Sequence, residues 1–235
     1  MGELSRLAGV FFEPTKTFED IAARPGWLVP MIIIMVCAMS VTVAFTQHVG
    51  WERFFRQQFE NSPRTAQMPT DQKEQLIATQ SKYAPIGAGG FILIGLPISY
   101  LITSAVLLGI VAGIMSAPVK FKQVYAVMCY ASLTSVVSSI LTLAVMFLKS
   151  PDQFNLQNAL VFNPGAFMDP QTSSKFLYSL ATSLDLFSLW TMFLIAVGLK
   201  AAGGKKLSFG GALVAVFLPW GIFVLGKSAL NGVFS

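Results

Sequence analysis

Long apolar stretches alternate with short polar ones along almost the whole chain. A helix that crosses a membrane needs about 20 predominantly apolar residues. Five stretches reach that length, so the pattern predicts an all-α fold, a polytopic membrane protein whose five transmembrane helices form a bundle over residues 28–235. We number these stretches spans one to five, at about 28–46, 86–117, 124–148, 176–199 and 209–230.

Two of the spans contain a proline. Span two would extend about 48 Å if it were helical throughout, against a hydrocarbon core of about 30 Å, and Pro97 lies inside it. Span five contains Pro219. Because proline has no backbone N–H to donate, we expect a kink or break near each of these residues.

Residues 1–27 follow a different pattern, with apolar side chains at helical spacing on both sides of Pro14. This spacing predicts two short amphipathic helices at the cytoplasmic surface of the membrane. Their apolar faces consist of Leu4, Leu7, Val10 and Phe11 in the first helix and Phe18, Ile21 and Ala22 in the second.

The segment between spans one and two carries two further helix signals. The stretch "WERFFRQQFE" places its aromatic residues on one face, which is typical of an interfacial helix. The stretch "TDQKEQLIATQSKY" predicts a helix whose N-cap is Thr70 or Asp71, with Glu74 three residues beyond Asp71.

Composition supports the membrane assignment. Hydrophobic residues make up 54% of the 235 positions and charged residues only 11%, whereas soluble domains carry roughly 25% charged residues. The mean hydropathy is +0.65 and the pI about 9.3. The basic residues flank apolar runs and form no patch, so we expect no nucleic-acid partner.

The distribution of basic residues predicts the orientation. Half of the chain's 16 lysines and arginines fall within about 40 positions before span one, between spans two and three, and between spans four and five. The other half are spread over roughly 75 positions and are mixed with acids. Because cytoplasmic loops are enriched in Lys and Arg, we predict a cytoplasmic N-terminus and an outside C-terminus.

Span four contains one carboxylate, Asp185, in the run "FLYSLATSLDLFSLWTMFLIAVGL". At 1.5 Å per residue it lies about 22 Å from Lys200, past the middle of the membrane. A charge at that depth is costly, so Asp185 is expected to face the bundle interior and to have a partner.

Candidate partners for Asp185 occur on three other spans. Tyr100 on span two lies at similar depth, whereas Lys227 on span five lies deeper, at about 31 Å from Lys206, and its long side chain closes part of that gap. Span three supplies a stripe of hydroxyl groups at helical spacing: Ser135, Ser138, Ser139 and Thr142. Three hypotheses stay open: a structural hydrogen-bonded acid, a proton or cation site in a transport pathway, and a protonated acid without a specific role.

Signatures of enzymes and metal sites in a suitable structural context are missing from the sequence. It has no GxSxG motif and no second acid in a span, and the letters of GxxxxGK[ST] occur as "GIFVLGKS" at 221–228, inside apolar span five rather than in the loop between a strand and a helix that a phosphate-binding loop requires. The thiols Cys37 and Cys129 lie in separate apolar runs, and His48 is the single histidine. We therefore predict a protein that is not an enzyme, with no catalytic residue, no metal and no cofactor.

Small residues offer one helix-packing motif. Gly109 and Gly113 form a GxxxG pair on span two. Such pairs let two helix backbones approach closely, either within one chain or between two copies. Packing inside the bundle and a homodimer both remain open.

Two stretches resemble the Yip (Ypt/Rab-interacting protein; YIPF) domain family: "GVFFEPTKTFEDIAARPGW" before span one and "LDLFSLWTMFLIAVGLKA" in span four. The resemblance covers nearly the whole chain and implies five membrane helices with a cytoplasmic N-terminus. Eukaryotic members are non-enzymatic factors in vesicle traffic that bind prenylated Rab-type GTPases. This sequence lacks their long N-terminal segment with an Asp-Leu-Tyr-Gly-Pro stretch, so it is similar to the bacterial branch and a GTPase partner is not carried over.

These observations predict a non-catalytic scaffold or adaptor in a bacterial inner membrane, whose partners are the lipid bilayer and another membrane protein or complex. The alternative is a small ion or solute transporter or channel that uses Asp185 and the hydroxyl stripe of span three.

Overall fold

A computed structural model describes every residue except 61–67, 152–153, 155, 157–158, 170–171 and 235. Within those limits its regular structure is entirely helical. The α-helices are α1 (Glu3–Phe12), α2 (Pro14–Ala23), α3 (Leu28–His48), α4 (Trp51–Glu60), α5 (Thr70–Gly90), α6 (Leu96–Leu108), α7 (Phe121–Ala131), α8 (Thr134–Leu148), α9 (Lys175–Ser183), α10 (Leu186–Gly203) and α11 (Phe209–Phe234).

Among the described residues, five helical segments are long and apolar enough to cross a membrane, which confirms the predicted all-α membrane fold. Span one corresponds to α3, and span five to α11, which continues through Pro219. Spans two, three and four depart from regular α-helix.

Span two is continuous with the soluble helix before it, so that Thr70–Ile114 forms one long helix. A π-helical turn at Phe91–Gly95 precedes Pro97, and there the Leu96 N–H bonds to the Phe91 carbonyl instead of one residue further on. The wider turn accommodates the ring of Pro97 where a break was expected. The predicted N-cap at Thr70 or Asp71 is wrong: the helix already begins at Thr70, Pro69 occupies the capping position, and no side chain caps this helix.

Span three is interrupted at Ser132 and Leu133. The Thr134 hydroxyl donates to the Ala131 carbonyl and the Ser135 hydroxyl donates to the Ser132 carbonyl, at 3.3 and 2.7 Å. Hydroxyl groups that take up nearby carbonyls compete with the helical hydrogen bonds, which explains a break inside an apolar run.

The described chain divides into two compact units. The first unit comprises Met1–Ile34, Pro97–Val136 and Phe162–Ser235. In it α2 packs on α7 and α10, α1 packs on α2 and α7, and α11 contacts both α9 and α10.

The second unit comprises Met35–Leu96 and Val137–Val161. Its core is formed by Phe45, Val49, Met146 and Phe154. The helices α4 and α5 pack together, and Arg56 donates hydrogen bonds to both carboxylate oxygens of Glu74, at 2.6 and 3.0 Å.

Candidate functional site

Span four is two helices, and Asp185 lies at their junction. The sequence predicted one continuous helix over 176–199, but α9 ends at Ser183 and α10 begins at Leu186. Asp185 has an extended backbone, with φ −81° and ψ 137°, and is the N-cap of α10. Its Oδ1 accepts hydrogen bonds from the backbone N–H of Ser188 at 3.1 Å and from the Ser188 hydroxyl at 3.4 Å.

This geometry explains why a carboxylate stands in an apolar run. The first N–H groups of a helix have no partner inside the helix, and an aspartate at the N-cap satisfies one of them. The partial positive charge of the helix N-terminus also favours an anion there. Asp185 therefore stabilises the first turn of α10, and it can do so because span four is broken at this position.

The predicted pairing of Asp185 with Lys227 or with the hydroxyl stripe needs correction. Both hydrogen bonds of Asp185 go to Ser188, three residues along its own chain. Lys227 donates instead to the Ser183 hydroxyl on the other side of the junction, at 3.2 Å. The partner in a helix cap is three residues away in sequence, so this hydrogen bond is easier to form than a contact with another span. Asp185 therefore caps its own helix.

We expect Asp185→Ala to lower the free energy of unfolding by about 1 kcal/mol, while Asp185→Asn changes it little, because asparagine caps a helix about as well as aspartate. Thermal melts of the purified protein in detergent would measure both. Ser174→Ala is the matched control, since Ser174 is the N-cap of α9 but its side chain makes no capping hydrogen bond. Equal losses from the Asn and Ala variants at position 185 would contradict the capping role.

A polar seam joins α9 to α11 beside this junction. The Ser179 hydroxyl accepts hydrogen bonds from the Ser228 hydroxyl at 3.2 Å and from Asn231 Nδ2 at 3.0 Å. Ser228 is fully buried. The sequence analysis missed this seam because its members are spread over two spans, although Ser228 and Asn231 are three residues apart and share one face of α11.

A cavity of about 630 Å³ opens in the first unit, and hydroxyl groups from several helices line it. Two of the predicted cluster residues, Tyr100 and Ser135, line this cavity together. Ser188 lines it as well, which places Asp185 one hydrogen bond away from the cavity. The other hydroxyl-bearing lining residues are Thr103, Ser132 and Thr191.

The remaining predicted cluster residues lie elsewhere. Ser138, Ser139 and Thr142 belong to the second unit and are half-buried. Thr134, which the sequence analysis did not select, is fully buried and shares a hydrogen bond with Thr191 of α10. The hydroxyl group that bonds span three to span four therefore belongs to Thr134, the first residue of α8, one position before the predicted stripe.

The glycine pair Gly109 and Gly113 packs against nothing in the described part of the chain. A Cβ atom added at either residue would meet no atom within 4 Å. Close helix packing occurs instead at Gly198 of α10, where an added Cβ would lie 2.4 Å from a Val127 methyl and 2.9 Å from the Phe18 ring. A homodimer through Gly109 and Gly113 stays a prediction.

A buried charge network holds the N-terminal helices in place. Arg6 is only 4% exposed, although the predicted apolar face of α1 did not include it. Its Nε donates to Asp20 Oδ2 at 2.7 Å and its Nη1 donates to Glu3 Oε1 at 3.2 Å. The Tyr130 hydroxyl of α7 donates to the other Glu3 oxygen at 2.5 Å. The network thus connects α1, α2 and a membrane span.

The buried residues of α1 are not the same as the residues of its predicted apolar face. Val10 is fully buried, as expected, but Leu4 is 83% exposed. The predicted face of α2 agrees with the structure, since Phe18, Ile21 and Ala22 are buried. The α1 helix turns Arg6 inward because Asp20 on α2 offers a carboxylate there, and an ion pair with additional hydrogen bonds compensates the burial of its charge.

The same network makes Asp20 sensitive to acid. Hydrogen bonds from the Met1 amino group, Arg24 and Arg6 hold the pKa of Asp20 well below its ordinary value of 3.8. The stabilisation from this carboxylate is therefore fully present above about pH 3.8 and declines as the pH falls below it, toward the pKa of the folded state.

We expect the melting temperature of the wild-type protein to exceed that of Asp20→Asn at pH 6, and the difference to shrink as the pH falls from 4 to 3. Melts in detergent at a series of pH values would measure this difference. A difference that is the same at pH 6 and at pH 3 would contradict the assigned role of the carboxylate.

The described residues contain no group of three or more His, Cys, Asp and Glu side chains that could hold a metal ion. Cys37 and Cys129 are free thiols. The described residues provide three other features: the helix cap at Asp185, the ion-pair network of Arg6 and the hydroxyl-lined cavity.

The helices and the site together define a polytopic all-α membrane protein with five candidate spans and a docked N-terminal helical pair. A family model for the Yip1 domain matches residues 8–230, and the chain belongs to this family. It is similar to the membrane protein YknW of Bacillus subtilis (strain 168), with 25% identity over 233 residues, which cover 98% of this chain and 93% of that protein. No solved structure matches the chain. The resemblance to the bacterial branch of the family is thereby confirmed.

Proposed function

We propose that this protein is a non-catalytic membrane adaptor that binds another membrane protein or complex through its N-terminal hairpin, defined as α1 and α2. The observation that carries the proposal is the buried network of Arg6, which fixes the hairpin to the span helices. A surface that is already ordered loses little conformational freedom when a partner binds, which favours recognition.

The surface of the hairpin fits a protein partner. Leu4 and Phe12 are 83% and 84% exposed, so two large apolar side chains point away from the bundle. The exposed ion pair between Lys16 and Glu13 lies at the turn between the two helices. Exposed apolar side chains rimmed by charged groups are typical of interaction sites.

The orientation belongs to the same proposal. The density of Lys and Arg supports an orientation with the N-terminal hairpin on the cytoplasmic side of the bacterial inner membrane. With five spans the C-terminus then lies outside. The partner would accordingly offer a cytoplasmic surface.

Photocrosslinking in native membranes tests the adaptor role. A benzoylphenylalanine at Phe12 is expected to form an adduct with one membrane protein, which should also co-purify with the chain. The same group at Phe147, which is 62% exposed on α8, is the matched control and is expected not to capture that protein. Identical adducts from both positions, or lipid adducts alone from position 12, would contradict the proposal.

The second candidate function is a small ion or solute transporter, and the hydroxyl-lined cavity next to the Ser188–Asp185 pair is the observation that favours it. Reconstitution into liposomes distinguishes the two functions. Under the transport hypothesis Asp185→Asn abolishes a measured ion or proton flux while the protein stays folded. Under the adaptor hypothesis neither protein gives a flux above that of empty liposomes.

A further inference from the structure

The hydroxyl-lined cavity of the first unit supports a binding assignment that goes beyond the adaptor function and does not require transport. We propose that it binds a membrane amphiphile with a primary ammonium head, whose N–H groups bond to the cavity's hydroxyl oxygens and whose chain extends into the bilayer.

The hydroxyl groups of the cavity are oriented as acceptors because their protons are already engaged. Thr103 donates to the Ser99 carbonyl at 2.9 Å, and Ser135 donates to the Ser132 carbonyl at 2.7 Å. Ser188 donates to the Asp185 carboxylate at 3.4 Å. A hydroxyl that donates its one proton retains lone pairs on the oxygen, so each of these three side chains can still accept a hydrogen bond.

Charge complementarity selects the head group. Among the described residues that line the cavity, none carries a charge, and the charged group bonded to its wall is the carboxylate of Asp185. An ammonium group has three donors and no acceptor, which matches the acceptor oxygens of Thr103, Ser135 and Ser188. A carboxylate or phosphate head would meet no cation among the described lining residues, and those three hydroxyls have no proton left to donate to it.

Aromatic side chains add to the attraction for a cation. Tyr100 and Trp220 both line the cavity. The faces of tryptophan and tyrosine rings attract an ammonium group, and the effect is larger where water is excluded.

The apolar part of the ligand has a path out of the cavity. Ile102, Val106 and Phe223 line the cavity and are 60%, 51% and 67% exposed. These residues lie on segments that are long and apolar enough to span the membrane, so an alkyl chain that follows them stays in hydrocarbon. A ligand can thus enter sideways from the bilayer.

Binding to the full chain in phosphatidylcholine nanodiscs tests the proposal, with native mass spectrometry counting bound molecules near neutral pH. Three probes share a twelve-carbon chain: dodecylamine, dodecyltrimethylammonium and dodecanoate. Dodecylamine is expected to bind saturably at one molecule per chain. Dodecyltrimethylammonium keeps the charge but lacks N–H donors, and it should bind about tenfold more weakly, as should dodecanoate. Equal binding of all three probes, or binding that never saturates, would overturn the proposal.

Two variants locate the site. Thr103→Val removes an acceptor from the cavity, and dodecylamine is expected to bind about tenfold more weakly. Thr42→Val is the matched control, since the Thr42 hydroxyl also donates to the carbonyl four residues earlier, at 3.0 Å, but does not line this cavity. Melts of both variants establish that each is folded. An equal effect of the two variants on binding, or no effect of Thr103→Val, would refute the assigned site.

Discussion

Replacing Arg6 by methionine is expected to lower the free energy of unfolding by about 2 kcal/mol, one of the two largest effects that we predict for a single substitution. Removing one partner of a buried ion pair costs about 3–5 kcal/mol because the other charge stays buried and uncompensated. The side chains of Asp20 and Glu3 are 16% and 47% exposed, so water compensates part of that loss. Thermal melts or denaturant unfolding in detergent would measure the effect.

Arg24→Met is the matched control for this prediction. Arg24 bonds to the same carboxylate, with its Nη2 2.7 Å from Asp20 Oδ1, but its side chain is 69% exposed. Exposed ion pairs contribute about 0–1 kcal/mol, so this variant should stay close to the wild type. Arg6→Met and Arg24→Met with the same stability would show that burial of the Arg6 guanidinium is not what matters.

Gly198→Ala is expected to destabilise the protein by about 1–3 kcal/mol. The added methyl would lie 2.4 Å from a Val127 methyl and 2.9 Å from the Phe18 ring, and both of those side chains are fully buried. The helices α2, α7 and α10 would have to move apart at Gly198 to make room for the methyl. Melts in the same detergent would measure the loss, and Gly198→Leu should prevent folding.

Gly226→Ala separates this steric effect from helix propensity. Gly226 lies inside α11, and a Cβ added there meets nothing within 4 Å. Alanine is a better helix former than glycine by up to about 1 kcal/mol, so Gly226→Ala should be neutral or slightly stabilising. A stabilising Gly198→Ala would mean that α10 does not pack as closely as the structure shows.

The sequence predicted features that depend on local composition. The positions of spans one and five and the two N-terminal helices agree with the structure. The presence of a helix near residue 70 was predicted as well, although its cap was assigned to Thr70 or Asp71 instead of Pro69. Asp185 was identified as the unusual group of span four, although its role as an N-cap was missed. The signal was present, since an aspartate three residues before Ser188 follows the spacing of a helix cap. The strong hydropathy of the run concealed it.

The burial of Arg6 could not be predicted in this way. An amphipathic pattern places a guanidinium on the outer face, and only the return of the chain through α2 brings Asp20 to it, 14 residues later. The same holds for the cavity, where Tyr100 and Ser135 of the predicted polar cluster lie beside hydroxyl groups that no sequence stripe indicated: Thr103, Ser132, Ser188 and Thr191.

The sequence by itself therefore determined the class of the protein, a five-span helical membrane protein of the Yip1 family, because the partition of each segment into a membrane depends mainly on the residues of that segment. The tertiary structure decided which groups meet: Arg6 with Asp20, Gly198 with Val127 and Phe18, and the hydroxyls around the cavity. Such contacts depend on how helices far apart in sequence approach one another, and that approach is set by close packing of side chains, which hydropathy and periodicity do not encode.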